Sequence, residues 1–333
     1  MPLGVGEMTD MQGAHILDCA GLRRDIEEIL SGITSHPYEN PESFLLQAAL
    51  CADQLPRWIR KTLYEFRLHG NQEGVLLLKG LPCDAHLPAT PRDGDPSHKA
   101  TFHSEQLLAM VGSRFGELFG YAQEKNGALF QDVTPSPTKA REQSASGSTV
   151  ALKLHTEKHF HPFAPSYVLL YCLRSNRAAV THYASVRRLR QYLSAEQHNI
   201  LFQPLFRSGI DYSFGNLNTD KANGPVVPVF YGSRNDPYIC YDLDLMEGTT
   251  PEAREALASV CRAAEHGLAG VTLDSGHLLI LDNRRVVHGR GTFTPRYDGH
   301  DRWLQRVYVA ADINLSAQDR SPASRIVRTR FDI

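Results

Sequence analysis

The segment LKLHTEKHFHPF, residues 152–163, places three histidines around one glutamate. Successive side chains of a β-strand point to opposite faces, so His155 and Glu157 face the same side if the strand runs through them. A nitrogen and an oxygen ligand on one side suggest a metal site that needs a third ligand from elsewhere. His159 and His161 share a face in the same way, but a metal held only by neighbours within seven residues would be unusual. We therefore interpret these two as residues outside the ligand set.

A candidate third ligand lies in GHLLILDNRRVVHGR, residues 276–290, where His288 follows an apolar run. Two histidines and one carboxylate form the facial triad of non-haem Fe(II) sites, which leaves open positions for oxygen and substrate. Arg284, Arg285 and Arg290 lie close to His288 in the sequence. Such positive charge disfavours a bound cation unless anions bind there too, and a 2-oxo acid and a carboxylate substrate are such anions.

The composition is that of a globular protein: of its 333 residues, 42% are hydrophobic and 22% are charged. The net charge of −2 gives no strong attraction to nucleic acid or to a membrane surface. No apolar run approaches the roughly 20 residues of a membrane helix, and the first residues lack the basic and apolar regions of a signal peptide. None of the six cysteines forms a C-x-x-C pair, so we predict reduced thiols in a cytoplasmic protein. The oligomeric state stays open.

The order of helical and β-rich patterns indicates a mainly β fold with surrounding helices. The N-terminal part predicts helices at 20–33, at 41–69 with a break near Pro56, and at 103–120. Further on, short runs such as SYVLLYCLR and PYICYDLDL are typical of strands, and two helical patterns, at 194–203 and 251–268, interrupt them. Many short strands with helices at the front favour a β-sandwich or jelly roll in a single domain, residues 1–333.

HTE, residues 155–157, followed by DNRRVVHGRGTFTPRYDGHDRWLQR, residues 282–306, resembles the clavaminate synthase group of Fe(II)/2-oxoglutarate oxygenases. That group includes asparagine and arginine hydroxylases of peptide-antibiotic pathways and hydroxylases of free L-lysine. The likeness extends from EGVLLLKGLP, which begins at Glu73, to the C-terminus. LPATP, FQDVTPS, YDLDLM and ASRIVRTRF are most similar to the lysine hydroxylases. The resemblance implies a double-stranded β-helix (jelly roll) core at roughly 121–315 behind a helical N-terminal part at roughly 1–120.

The resemblance also implies which residues bind the metal and the co-substrate. His155, Glu157 and His288 match the iron ligands of the family. Arg302, in DRWLQR, resembles the arginine that pairs with the far carboxylate of 2-oxoglutarate. A guanidinium suits this task because it stays charged and can donate two parallel hydrogen bonds to a carboxylate. Thr181, in AAVTHYAS, resembles the hydroxyl that assists it.

A second set of residues is expected to bind an amino-acid substrate. Arg306, four residues after Arg302, matches the family's position for the substrate α-carboxylate. Asp242 and Asp244, in PYICYDLDLMEG, would share one face of a strand, where adjacent carboxylates repel unless a cation lies between them. The arginine and lysine hydroxylases carry such a pair, which implies a grip on a basic side chain, whereas the spacing alone equally fits a solvated strand end. Glu124, in YAQEKNG, resembles a residue that holds the α-amine, or it is an exposed turn carboxylate.

The segment 207–225 is rich in Gly and Asn and shows little periodicity, as in loops that close over active sites. Closure of such a loop would exclude water from the reaction. Asp211 and Ser213 are its candidate contact residues.

The resemblance implies hydroxylation of an unactivated side-chain carbon, C3 or C4, of a free basic L-amino acid, with lysine first and L-arginine second. Fe(II), 2-oxoglutarate and O2 would be required, and succinate and CO2 would be released. Glu157 argues against halogenation, for which related enzymes have a small residue at this position. The alternatives are desaturation, citrulline as substrate, a zinc hydrolase and a non-catalytic jelly-roll binding protein. Arg302 and Thr181 argue against the binding protein, and the lack of a second carboxylate near the ligands argues against the hydrolase.

Overall fold

Residues 10–11, 14–92, 98–210, 214 and 223–331 are described by the structure, which is a computed structural model. They form seven α-helices and eighteen strands. The helices are α1 (Arg23–Leu30), α2 (Pro41–Ala52), α3 (Arg57–His69), α4 (His103–Gly112), α5 (Val186–Leu189), α6 (Ala195–Leu201) and α7 (Pro251–His266). The strands are β1 (Asp10–Met11), β2 (Ala14–Asp18), β3 (Val75–Lys79), β4 (Glu117–Tyr121), β5 (Gln131–Val133), β6 (Leu152–His155), β7 (Tyr167–Arg174), β8 (Thr181–Ser185), β9 (Phe206–Arg207), β10 (Val226–Val227), β11 (Phe230–Gly232), β12 (Pro237–Ile239), β13 (Glu247–Gly248), β14 (Ala269–Val271), β15 (Leu278–Asp282), β16 (Val286–Arg290), β17 (Trp303–Ala310) and β18 (Ile326–Val327).

The larger sheet has the strand order β1-β2-β3-β15-β7-β17-β4-β18, with β5 also paired to β17. Its long strands β7 and β17 are antiparallel, from Trp303 opposite Arg174 to Val309 opposite Tyr167. Strands β2 and β3 are parallel, as are β4 and β18. The sheet is therefore mixed, with its longest antiparallel pair in the middle.

The two faces of β17 contact different cores because successive side chains point in opposite directions. Trp303 and Val307 share a core with residues of α1, α2, α3 and α4. Leu304 and Tyr308 pack instead in a core that includes Val286 of the smaller sheet. Strand β17 thus separates the N-terminal helices from the space between the two sheets.

The smaller sheet, in the order β14-β8-β16-β6, faces the larger one across this second core. Strand β16 places His288 opposite His155 of β6 and opposite Tyr183 of β8. The other face of the smaller sheet is covered by α7, because Ala184 and Val287 share a third core with its alanines. The layers run from N-terminal helices through the two sheets to α7.

The helix predicted at 103–120 is wrong in its second half. Helix α4 ends at Gly112, and the following residues form β4, which pairs with β17. Gly116 permits the turn between them, because its φ is 150° and a Cβ there would lie 2.0 Å from the backbone oxygen of Ala310. The apolar spacing fits either structure, and pairing with β17 decides the outcome. Strand β16, which carries His288, was not predicted as a separate strand.

The helices predicted at 41–69 are confirmed as α2 and α3, and Pro56 directly precedes α3. Those predicted at 194–203 and 251–268 are confirmed as α6 and α7. No helix in the described ranges is both long and apolar enough to cross a bilayer. All six cysteines are free.

Candidate metal centre and cavity

The candidate metal centre lies between β6, β16 and the turn after β6. His155 ends β6, and His288 lies opposite it on β16. Ligand atoms of His155, Glu157 and His288 all lie within 4.8 Å of one another. Glu157 Oε2 is 3.7 Å from His288 Nε2, and the two imidazole ring centres are 4.6 Å apart. This spacing suits a single ion.

Glu157 does not reach the site by strand alternation, because β6 ends at His155. The chain turns there instead, as the backbone N–H of Thr156 donates to the oxygen of Tyr241 at 2.7 Å. The backbone N–H of Glu157 then donates to Asn283 Oδ1 at 2.7 Å, and Asn283 Nδ2 donates to the backbone oxygen of Glu157 at 3.1 Å. Asn283 thus holds the residue so that its carboxylate faces the histidines.

The donor set fits a divalent metal such as Fe(II). Burial and the neighbouring His155 lower the pKa of His288 to about 3, against the opposing influence of Glu157. At neutral pH the His288 ring is therefore uncharged and has a lone pair available to a metal. Its Nδ1 is buried and has no hydrogen-bond partner among the described residues. Imidazole nitrogens with one carboxylate oxygen match the ligand set of non-haem iron sites.

The Glu157 carboxylate is buried but ionised. Burial raises its pKa, but the positive charges of Arg306 and Lys158 outweigh this effect and hold the pKa well below its usual value. Arg306 Nη1 donates to Oε2 at 3.3 Å, and the Tyr308 hydroxyl donates to Oε1 at 3.0 Å. Lys158 Nζ is 3.8 Å from Oε1. The carboxylate is thus fixed in place with its negative charge available to a cation.

A cavity of about 1270 Å³ opens beside the three candidate ligands, and Arg302 and Thr181 lie in its wall. Arg302 is only 7% exposed, and burial lowers its pKa to about 10. Within the described part of the chain, its guanidinium forms no hydrogen bond or ion pair. A buried charge without a counter-ion is costly, so this end of the cavity favours an anionic ligand. Thr181 begins β8 and offers a hydroxyl in the same wall.

Arg290 is a second buried arginine in the cavity wall, but it has partners. Burial and the neighbouring Arg302 lower its pKa to about 10. Its guanidinium donates to backbone oxygens at 3.0 to 3.5 Å. The acceptors are the oxygens of Ser144, Ala145, Val150 and Gly291. Arg290 therefore fixes the loop before β6 to the smaller sheet, whereas Arg302 is left for a ligand.

Arg306 projects from β17 into the same cavity. Its Nη2 donates to Glu124 Oε1 at 2.8 Å and to Gln131 Oε1 at 2.6 Å. The Tyr308 hydroxyl, which donates to Glu157, also lies 3.3 Å from the same Glu124 oxygen. Glu124 is therefore a buried partner of Arg306 and not an exposed turn residue, since its side chain is only 12% exposed. An anion that binds Arg306 would lie beside both Glu124 and Glu157.

The expected strand over Asp242 and Asp244 is wrong, because β12 ends at Ile239. Asp242 forms only an isolated bridge with His155, and Asp244 lies in the turn that follows. Asp242 Oδ1 accepts the backbone N–H groups of Asp244 and Leu245 at 2.7 Å, which is the local bonding that makes aspartate favour turns. Asp244 forms an ion pair with Lys153 at 2.5 Å. Both carboxylates nevertheless line the cavity of the metal centre. The two carboxylates therefore both lie in the cavity wall, although they do not share a strand face.

The predicted lid at 207–225 is described only in part, and Asp211 and Ser213 lie outside the described residues. Phe214 is described and packs against the rings of Phe160 and His161, with centroid distances of 5.2 and 5.5 Å. The roles of Asp211 and Ser213 stay predictions.

Several residues of the site escaped the sequence analysis. Lys158, which follows Glu157, is buried and contacts that carboxylate. Tyr308 could have been found, because strand alternation places it on the same face as Arg306. Gln131 and Asn283 could not, because their roles depend on contacts between distant segments.

Comparison with known proteins gives the class. The chain matches the family described as "Taurine catabolism dioxygenase TauD, TfdA family" over residues 42–308, and it belongs to that family. It is thus an Fe(II)/2-oxoglutarate-dependent dioxygenase, as predicted, and uses Fe(II), 2-oxoglutarate and O2.

The similar proteins include amino-acid oxygenases of the clavaminate synthase group. The chain is 36% identical over 310 residues to L-lysine 3-hydroxylase of Catenulispora acidiphila, covering 92% of this chain and 86% of the relative. It is 35% identical over 313 residues to clavaminate synthase 2 of Streptomyces clavuligerus, covering 92% and 96%. Asparagine oxygenase in complex with Fe(II), 2S,3S-3-hydroxyasparagine and succinate superposes with a TM-score of 0.86 at 34% identity, covering 94% of this chain and 99% of that one. The predicted family resemblance is confirmed.

Proposed function

We propose that the protein hydroxylates an unactivated side-chain carbon, C3 or C4, of a free basic L-amino acid, with L-lysine as first choice. The observation that carries this proposal is the presence of Asp242 and Asp244 in the cavity that also holds the candidate metal ligands and two buried arginines, Arg302 and Arg306. Arginines suit the carboxylates of a co-substrate and a substrate, and an acidic pair suits a cationic side chain. The similarity to L-lysine 3-hydroxylase supports the same choice.

In this proposal, His155, Glu157 and His288 bind Fe(II), and Arg302 with Thr181 binds 2-oxoglutarate. When bound, the iron supplies the oxygen chemistry that couples decarboxylation of 2-oxoglutarate to hydroxylation. The proposal is supported by the 4.8 Å cluster of ligand atoms and by the buried guanidinium that lacks a counter-ion among the described residues. The far carboxylate of 2-oxoglutarate would supply that counter-ion and orient the co-substrate toward the metal.

The chain's own residues would then orient the amino acid. Arg306 would bind the α-carboxylate, with Glu124 on the side of the α-amine. Asp242 and Asp244 would bind the side-chain cation, so that the substrate is held at both ends. Because both ends of the substrate are fixed, one part of its carbon chain lies beside the metal. Positioning of this kind selects a single C–H bond for reaction.

We also propose that the two facing sheets form the double-stranded β-helix core, at roughly 121–315, and that the chain is one domain. The shared core of α1 to α4 with β7 and β17 supports a single domain, since the helical N-terminal part has no separate core of its own among the described residues. A cytoplasmic location is supported by the six free cysteines.

L-Arginine is the second candidate substrate. The oxygenase OrfP in complex with Fe, succinate and (3S)-hydroxy-L-Arg superposes with a TM-score of 0.85 at 28% identity. An L-ornithine/L-arginine 3-hydroxylase of C. acidiphila is 28% identical over 317 residues. A guanidinium can donate to two carboxylates at once, so the acidic pair also fits this substrate.

The test is to incubate the purified protein with Fe(II), 2-oxoglutarate and each standard amino acid, with citrulline added to the set, and to measure succinate by mass spectrometry. We expect the most succinate with L-lysine. A product that gains one oxygen indicates hydroxylation, whereas the loss of two hydrogens indicates desaturation, and NMR locates the carbon. Reactions without an amino acid give the uncoupled background. Succinate formation with L-asparagine but with no basic amino acid would contradict the proposed substrate class.

A further inference from the structure

Lys158 brings a cation into the centre of the site. Its side chain is only 3% exposed, and Nζ lies 3.1 Å from Glu124 Oε1 and 3.8 Å from Glu157 Oε1. The ammonium also lies 5.1 Å from the centre of the Phe214 ring. The backbone of Lys158 has a φ of 53°, a left-handed conformation that is uncommon for residues other than glycine. A strained backbone and a buried charge at one residue indicate that its position is maintained by the surrounding contacts.

Two cations and two carboxylates of the described residues meet around Lys158. Lys158 and Arg306 are the cations, and Glu124 and Glu157 are the carboxylates that they contact. Lys158, Arg306 and the Tyr308 hydroxyl all meet the same oxygen, Glu124 Oε1. Glu124 Oε1 is therefore already surrounded by donors before any ligand enters, whereas Glu124 Oε2 is buried without a hydrogen-bond partner among the described residues.

An amino acid carries its carboxylate and its ammonium on one carbon atom. If the carboxylate binds Arg306, the ammonium must lie near the carboxylates that touch that guanidinium, which are Glu124 at 2.8 Å and Glu157 at 3.3 Å. Lys158 Nζ lies at these same two carboxylates. A substrate ammonium would therefore enter next to an existing ammonium, and like charges at short distance repel.

We propose that Lys158 is a specificity-determining residue whose ammonium fills the place at Glu124 that the substrate's α-ammonium would otherwise take. This inference rests on the proposed function. As a result, the α-amine contributes little to ligand binding, and the enzyme binds carboxylate ligands that lack a charged α-amine nearly as well as the parent amino acid. If Lys158 instead bound the ligand's carboxylate, its removal would weaken both kinds of ligand equally.

The test is a double-mutant cycle between Lys158 and the ligand's α-amine, measured by titration calorimetry on protein loaded with Mn(II) and 2-oxoglutarate under anaerobic conditions. The ligand pair is L-lysine and 6-aminohexanoic acid, which is the same chain without the α-amine. We expect the two to bind the wild type within about threefold of each other. In Lys158→Met, L-lysine should bind at least about tenfold more tightly than 6-aminohexanoic acid, or ~1.4 kcal/mol.

Two further variants make the result specific. Lys158→Gln keeps a polar side chain of similar length without the charge and should show the same preference. Methionine and glutamine both retain a Cβ, so neither relieves the left-handed backbone. Lys153→Met is the matched control, because Lys153 also lines the cavity but pairs with Asp244. Lys153→Met should leave the ratio of the dissociation constants of L-lysine and 6-aminohexanoic acid as it is in the wild type.

An unchanged ratio in both Lys158 variants, or an equal change in Lys153→Met, would overturn the inference. These outcomes are separate from the failure of the proposed function. If a non-basic amino acid binds instead of L-lysine, the same cycle with that amino acid and its deaminated analogue still decides the role of Lys158. If no amino acid binds the wild type or either Lys158 variant, both proposals fall.

Discussion

Replacement of Arg302 by methionine should make the ligand-free protein more stable and, at the same time, nearly abolish its response to 2-oxoglutarate. Burial lowers the pKa of Arg302 to about 10, so the guanidinium is still charged at neutral pH. The folded pKa lies below that of the unfolded chain and both lie above 7, so the penalty is constant through neutral pH and is relieved only above about pH 10. Since one pKa unit corresponds to about 1.4 kcal/mol, the buried charge costs the folded state on the order of 3 kcal/mol. Methionine removes that charge and keeps part of the packing.

The loss of binding can be estimated in the same way. A hydrogen bond to a charged group contributes roughly 1.5–3 kcal/mol, so the dissociation constant of 2-oxoglutarate should rise by about 10- to 100-fold. At a concentration of 100 times the wild-type dissociation constant, 2-oxoglutarate stabilises the wild type by about 2.7 kcal/mol. With a 100-fold weaker site, the same concentration gives only about 0.4 kcal/mol.

The assay is urea denaturation of the Mn(II)-loaded protein with and without 2-oxoglutarate. Arg290→Met is the control, because Arg290 is buried nearby but donates to four backbone oxygens. Arg290→Met should be less stable than the wild type in the absence of ligand, and it should keep most of the stabilisation that 2-oxoglutarate provides. If Arg302→Met were less stable than the wild type and still gained about 2.7 kcal/mol from the ligand, Arg302 would be a structural residue and the reasoning would fail.

The remaining predictions concern the metal, the substrate and pH. His288→Ala should abolish succinate formation and Mn(II) binding measured by electron paramagnetic resonance, whereas His161→Phe should keep both; full activity in His288→Ala would refute the triad. Arg306→Ala should raise the KM for the amino acid far more than the KM for 2-oxoglutarate, and the reverse order in steady-state kinetics would contradict its role. Asp242→Asn should weaken L-lysine binding by at least about tenfold, roughly 1.4 kcal/mol, and Asp244→Asn by less, because Asp244 is already paired with a lysine; calorimetry showing wild-type affinity in both variants would remove the basic-substrate argument. Burial lowers the pKa of His161 to about 3 in the folded protein. As pH falls from about 6.5 to 3, His161 is therefore protonated in the unfolded chain but not in the folded one, and the free energy of unfolding declines over that range. Acid denaturation of His161→Phe should therefore be less steep, by up to about 1.4 kcal/mol per pH unit, and an unchanged slope would show that His161 is not buried as a neutral ring.

The parts of the site that could be predicted are those carried by short motifs. His288 lies more than 120 residues from His155 and Glu157 in the chain, yet each ligand lies in a recognisable run, and pairing of β6 with β16 brings them together. Arg302 lies in such a run as well. The fold was predictable where one pattern dominates, as in α2 and α3.

The parts that could not be predicted depend on competition between local and distant contacts. The apolar spacing of residues 113–120 fits a helix, but from Glu117 onward the chain pairs with β17 and β18 and forms a strand. Asp242 was expected on a strand because the run before it is β-rich, but its side chain accepts the backbone N–H groups of Asp244 and Leu245, which turns the chain. Lys158 received no role from its sequence, because lysine is rarely buried. Its partner Glu124 is 34 positions away, and nothing in the local sequence reveals the contact.

The two arginines and the two aspartates of the cavity are held by different kinds of structure, which affects how the substrate range of this enzyme can change. Arg302 directly precedes β17 and Arg306 lies within it, so both arginines belong to one short segment that the pairing of β17 with β7 holds in place. Asp242 and Asp244 belong instead to the bridge and turn at 242–245, whose shape depends on a few local hydrogen bonds. The arginines that would bind the carboxylates of co-substrate and substrate are thus held by a sheet strand. The aspartates that would bind the substrate's side chain are held by a turn. Substitutions in the turn can shift which carbon faces the metal, or which side chain fits, while the co-substrate keeps its place.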